Sequence, residues 1–115
     1  MKFALMFSPP MSGFEGRFNT FRLGMKLSRI LTPGETILLI DSKTSRVFAE
    51  AVVESAVVGT LKDMADEHAY RNHNQRSLDA ATAPQRLITN MIKRYGPHKC
   101  SETSKVTVLY LRRLE

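Results

Sequence analysis

Residues 45–59, SRVFAEAVVESAVVG, alternate apolar and polar side chains with the period of a half-buried strand. Val47, Ala49, Ala51 and Val53 fall on one side, while Arg46, Glu50 and Glu54 fall on the other. Phe48 and Val52 interrupt the polar side, so that face is expected to be partly covered too. A bend is expected near Ser55, before Gly59. A strand of this length requires sheet partners, and TILLID at 36–41 is the first, joined to it by the hairpin connection DSKTS at 41–45.

Two further strands are predicted. KFALMFS at 2–8 is stopped by Pro9 and Pro10, which cannot continue a ladder. KVTVLYLRRL at 105–114 places Val106, Val108, Tyr110 and Arg112 on one face, with Thr107, Leu109 and Leu111 on the other. MSGFEGRF at 11–18 reads as a loop with exposed aromatics, and FNTFRLGM at 18–25 as a short helix, since Phe18, Phe21 and Met25 keep helical spacing and Gly24 suits its end. LSRIL then reads as extended and TPGE as a turn. Thr60, with Asp63 three residues on, caps a helix whose face runs Leu61, Met64, Ala65, His68 and Asn72. After the linker QRSLDAATA, Pro84 opens another helix with a stripe of Leu87, Ile88, Met91, Ile92 and Tyr95, ended by Gly96-Pro97. Helices inserted among antiparallel strands imply a small α+β domain, a partly closed barrel with helices at its ends.

At 115 residues the chain is expected to form a single domain over 1–115, and 43% hydrophobic residues suffice for a core. A net charge of +6 favours polyanionic partners: RNA or a nucleotide, with DNA also compatible. The lone Cys100 excludes an intramolecular disulfide, and its polar loop suggests an exposed or half-packed thiol. The N-terminal apolar run of five residues is too short for a signal-peptide core or a membrane span, so a cytoplasmic protein with no membrane partner is expected. Three scattered histidines without a carboxylate set indicate no metal site, and no glycine-rich phosphate loop or dinucleotide pattern indicates a cofactor. Oligomeric state is left open.

The basic residues are unevenly placed. Arg17, Arg22, Lys26 and Arg29 lie between Glu15 and Glu35 with no acid among them. An ammonium at Lys26 suits a phosphate or a polarised carbonyl, and a guanidinium at Arg29 suits a phosphate or a base edge. Arg17 and Arg22 extend that field. Ordinary solvated charge is the competing account of all four. A second group, Arg86, Lys93, Arg94 and Lys99, has no acid between Asp79 and Glu102. Lys93 and Arg94 are explained by the helix dipole unless the barrel mouth brings them beside the first group.

Four features resemble the ASCH domains of the PUA-like superfamily over about residues 17–113. These are Gly24-Met25-Lys26-Leu27-Ser28-Arg29, similar to a G-x-K signature; Pro33-Gly34-Glu35 before a hydrophobic strand; the alternating strand running into GTLKDMADEHA; and VTVLYL after a Tyr-Gly-Pro helix end. The resemblance implies a small, mostly antiparallel PUA-like β-barrel with two to three helices. It also implies RNA or nucleotide binding in a basic cleft around Lys26 and Arg29, with Arg22, Arg17, Asn72 and Tyr70 as further candidates. Asn72 is suited to a base edge, and Tyr70 or Phe14 to stacking on a base.

TLKDMADEHAYRNHN is also similar to a segment of small ASCH amidohydrolases that deacetylate acetylcytidine. Those enzymes use a lysine, a threonine three residues on, and a glutamate four residues after a histidine. Here the corresponding positions are Lys26, Arg29 and Asn72. An arginine is no hydroxyl nucleophile and an asparagine amide is no general base, so the triad is incomplete. The alternative to binding alone is a nucleic-acid-processing hydrolase, ribonuclease-like or amidohydrolase-like, that uses Lys26 with Ser28 or one of His68, His73 and His98. A third class, a protein-interaction module, would use SGFEGRF.

Overall fold

The structure is a computed structural model that describes residues 2–9 and 11–114; Pro10, one of the two expected strand stops, lies outside them. In chain order the elements are β1 (Ala4–Phe7), β2 (Arg17–Leu23), α1 (Lys26–Ile30), β3 (Thr36–Asp41), β4 (Arg46–Thr60), α2 (Leu61–His68), α3 (Ala83–Tyr95) and β5 (Lys105–Arg113). Short 3-10 turns at Ala69–Arg71 and Ala80–Thr82 lie between α2 and α3. The strands form one sheet in the order β1-β3-β4-β5-β2, parallel only between β1 and β3. The sheet curls into a half-barrel, α+β in class.

Two cores account for the curl. One contains Leu5, Phe18, Ile37, Leu39, Val53, Leu109 and Leu111, so every strand contributes to the inside of the half-barrel. The other joins Phe21, Val106 and Val108 to Leu61, Met64 and Ala65 of α2 and Leu87, Ile88 and Met91 of α3. The alternation expected in β5 sorts its side chains between these cores. Val106 and Val108 face the helices, and Leu109 and Leu111 face the interior.

The expected bend in β4 is a β-bulge. Val53 pairs with Leu111 and Ser55 with Tyr110, leaving Glu54 as the extra residue. The bulge changes the parity of the strand, so Ala51, Val53 and Ala56 face the interior while Val57 faces the helices. Glu54 receives Arg17 at 3.2 Å and Arg112 at 3.6 Å.

Two local expectations are corrected. Residues 17–23 form β2, not a helix, and pair with β5 from Arg17↔Arg112 to Leu23↔Val106. A separation of three puts two side chains on one helix face but on opposite faces of a strand. Phe18 and Phe21 accordingly lie in different cores. The segment expected to be extended is instead α1, with Leu27 and Leu31 packed four residues apart against the interior core. Gly24, at φ +86°, makes the turn between them, with its N–H donating to Lys105 O at 2.8 Å.

Two solvent assignments also change. Phe14 is buried against Phe7 and Phe18, which removes the exposed ring that an interaction loop at 12–18 needed. Cys100 is buried rather than exposed, in the core beneath α3. No helix among the described residues is long and apolar enough to cross a membrane.

The cap of α2 is as expected: Thr60 Oγ1 accepts from Asp63 N–H at 3.2 Å. Replacing Thr60 with alanine is expected to cost about 1 kcal/mol, read as a lower urea midpoint with an unchanged slope.

Candidate functional site

The half-barrel leaves β1 and β2 at its two ends without a ladder between them, and α3 lies along this seam. A recess of about 160 Å³ opens there. Its walls come from Met6–Ser8 at the end of β1, Thr20–Arg22 of β2, and Leu87, Asn90, Met91, Arg94 and Tyr95 of α3. The segment 72–75 completes the lining.

Arg22 bridges the seam. Its Nη2 donates to the Met6 carbonyl at 2.9 Å and its Nε to Thr20 Oγ1 at 3.3 Å, and the guanidinium lies 4.7 Å from the centroid of the Phe7 ring. Across the recess, Arg94 Nη2 donates to Ser8 Oγ at 2.6 Å. Among the described residues no carboxylate lines the recess, and none lies within salt-bridge distance of either guanidinium. Burial holds the Arg22 pKa below its ordinary value; nearby Tyr95 offsets this and the charge of Arg94 adds to it. A guanidinium nevertheless stays protonated in a protein. The recess therefore holds two positive charges facing neutral oxygens.

The 72–75 segment is fixed from behind. Asn72 makes an isolated parallel bridge with Asn19, and His73 N–H donates to the Asn19 carbonyl at 3.2 Å. Asn19 Nδ2 in turn donates to the His68 carbonyl at 2.9 Å. Asn72 Oδ1 accepts from Asn74 N–H at 3.0 Å, a local turn contact. Arg86 Nε donates to Gln75 Oε1 at 2.7 Å, which ties the segment to α3.

His73 is 7% exposed, and its ring stacks on Phe14 with centroids 4.6 Å apart. Its pKa is lowered to about 4, first by burial and then by the charge of Arg22, so the imidazole is neutral at pH 7. Nδ1 is buried without a hydrogen-bond partner among the described residues, as is Asn74 Oδ1.

The residues singled out from sequence separate into groups. Arg22 and Asn72 line the recess; Lys26 and Arg29 do not. Both of those are exposed on α1, and neither forms a salt bridge among the described residues. Ser28, the substitute hydroxyl, donates to the Met25 carbonyl at 2.6 Å. Arg17 lies at the start of β2, paired with Glu54. Tyr70 is exposed, but the Arg71 guanidinium lies 5.2 Å from its ring centroid. His68 sits under Tyr110, with Nδ1 2.7 Å from the phenol oxygen. Arg94 and His73 join Arg22 where sequence reasoning centred the site on Lys26. Arg94 lay in the second basic run and His73 in the polar stretch that follows α2, and only the packing at the seam brings them together.

Searches against protein-family models and against curated proteins return no match. Solved structures do match. The crystal structure of hypothetical protein PH0355 has a TM-score of 0.64 at 12% identity, covering 99% of this chain and 100% of that one. An ASCH domain from Lactobacillus crispatus JV V101 has a TM-score of 0.55 at 11% identity, covering 88% of this chain and 65% of that one. The fold is ASCH/PUA-like. A third match, protein EF3133 of family DUF984 from Enterococcus faecalis V583, has a TM-score of 0.59 at 9% identity and covers 89% of this chain. That match accounts for 62% of the EF3133 chain. At such identities the likeness is one of fold, and what this ASCH-like chain does must be argued from its own seam.

Proposed function

We propose that this ASCH-like protein binds RNA or a nucleotide, with the seam recess as the centre of its site. The observation that carries the reading is the pair Arg22 and Arg94 lining one small recess with no carboxylate among its described lining residues. A half-buried Arg22 and an exposed Arg94 at one recess repel each other and attract an anion, the more so where water is displaced. The neutral amides of Asn72, Gln75 and Asn90 add hydrogen-bonding groups suited to a base or sugar. Lys26 and Arg29, exposed on the helix that follows β2, serve as phosphate contacts for the part of a strand outside the recess. Arg17 is assigned no such role, because Glu54 already pairs with it.

The test is titration of a labelled single-stranded RNA across a range of salt concentrations. Log affinity is expected to fall linearly with log salt. The double substitution Arg22→Met/Arg94→Met removes the phosphate held at the recess and is expected to make that slope shallower by at least about 0.7, the value of one single-strand phosphate contact. Binding that ignores both salt and this substitution would overturn the proposal.

A further inference from the structure

We propose that the recess takes a terminal phosphate, a phosphomonoester dianion at the end of an RNA strand or on a mononucleotide, anchored by Arg22 and Arg94. This rests on the nucleic-acid reading of the same recess and narrows it.

The donors are available. Of the five N–H groups on a guanidinium, Arg22 places one on Thr20 Oγ1 and one on the Met6 carbonyl, and Arg94 places one on Ser8 Oγ. Both forks therefore keep unused donors at the recess. A phosphomonoester brings close to two negative charges at neutral pH and three acceptor oxygens, whereas an internal phosphodiester brings one charge. Two arginines with no acid beside them among the described residues match the dianion, because only it neutralises both.

Size points the same way. About 160 Å³ is well under the roughly 300 Å³ at which pockets begin to enclose whole drug-sized ligands. An internal phosphate is tethered on two sides and needs a channel with two exits. A terminal phosphate is tethered on one, and its nucleoside can remain at the mouth. The Arg22 guanidinium lies over the Phe7 ring, and its hydrogen bonds to the Met6 carbonyl and the Thr20 hydroxyl restrain its orientation. The fork is thus already oriented before a ligand arrives.

The experiment compares one short single-stranded RNA sequence, dye-labelled internally, in three forms: 5′-phosphorylated, 3′-phosphorylated, and hydroxyl-ended at both termini. Binding is read by fluorescence anisotropy, with a nucleoside monophosphate and the matching nucleoside as competitors. One phosphorylated form is expected to bind about tenfold more tightly than the hydroxyl-ended strand. Arg94→Met, at an exposed side chain that leaves the fold in place, is expected to abolish the difference, and Arg22→Lys to reduce it. Competition by the monophosphate but not the nucleoside supports the proposal with a mononucleotide as the source. Strand discrimination without such competition supports it with an RNA end as the source. Equal binding of all three strands, still weakened by Arg94→Met, overturns the terminal-phosphate proposal and leaves the nucleic-acid reading standing. No binding of any strand or of the monophosphate overturns both.

Discussion

Gly13→Ala is expected to destabilise the protein by at least about 3 kcal/mol, lowering the melting temperature by roughly 10 °C or more. Gly13 has φ +77°, and a Cβ there would overlap the carbonyl oxygen of His73. The backbone conformation alone costs an L side chain about 1–2 kcal/mol. Relieving the overlap requires the loop at 11–16 to retreat from the 72–75 segment. That movement breaks the contacts holding the two together, since Arg76 Nη1 donates to both Gly13 O at 2.8 Å and Glu15 O at 2.6 Å, and Phe14 stacks on His73. Gly16→Ala is the matched control. Gly16 has φ +61° with nothing near its would-be Cβ, so only the conformational part is expected there. Thermal melts of the two variants side by side decide the matter; equal losses would show that the close approach to His73 carries no weight.

The same loop shows which parts of the fold a sequence discloses. β3, β4, β5 and α3 were legible because their patterns run long enough for periods of two and 3.6 to be distinguished. In 17–23 the decisive fact is not local. The paired phenylalanines satisfy a helix face and equally satisfy a strand buried on both sides, and β5 arbitrates from nearly ninety residues away. α1 has one turn and a half, so Leu27 and Leu31 are its whole signal. Phe14 looked exposed because glycines flank it, yet those glycines are what let the loop press the ring onto His73.

The site follows the same rule. An excess of cations without acids in 16–34 was visible in the sequence, and Arg22 and Asn72 within the candidate set do line the recess. The most prominent residue of that set, Lys26, stands on α1 outside it. What local spacing could not contain is the convergence of three distant pieces at one seam. Arg22 of β2 and Arg94 of α3 are far apart in the chain, yet both donate to the end of the first strand, Arg22 to the Met6 carbonyl and Arg94 to Ser8 just after β1, across a seam that no ladder spans. An arginine at a helix C-terminus is ordinarily explained by the dipole. Here Arg94 also donates to Ser8 across the seam.

His73 is expected to make the protein acid-labile well above the carboxylate range. Its pKa is about 4 in the folded state against an ordinary 6.5, so between those values the unfolded chain binds the additional proton. The sign follows from linkage: stability from this group is complete above about pH 6.5, declines as pH falls, and is fully lost below about pH 4. Two and a half pH units correspond to about 3 kcal/mol. Protonation meets opposition from more than burial, because Arg22 and Arg94 both face the ring with like charge. His73→Phe retains the aromatic packing against Phe14, Phe7 and Phe18 and removes the titration. Urea unfolding of both proteins from pH 7.5 down to 4 should therefore show the native protein losing about 3 kcal/mol more than the variant, with most of the divergence between pH 6.5 and 4. Parallel curves would mean that His73 keeps an ordinary pKa, and that the seam does not hold its ring neutral between two arginines and a phenylalanine.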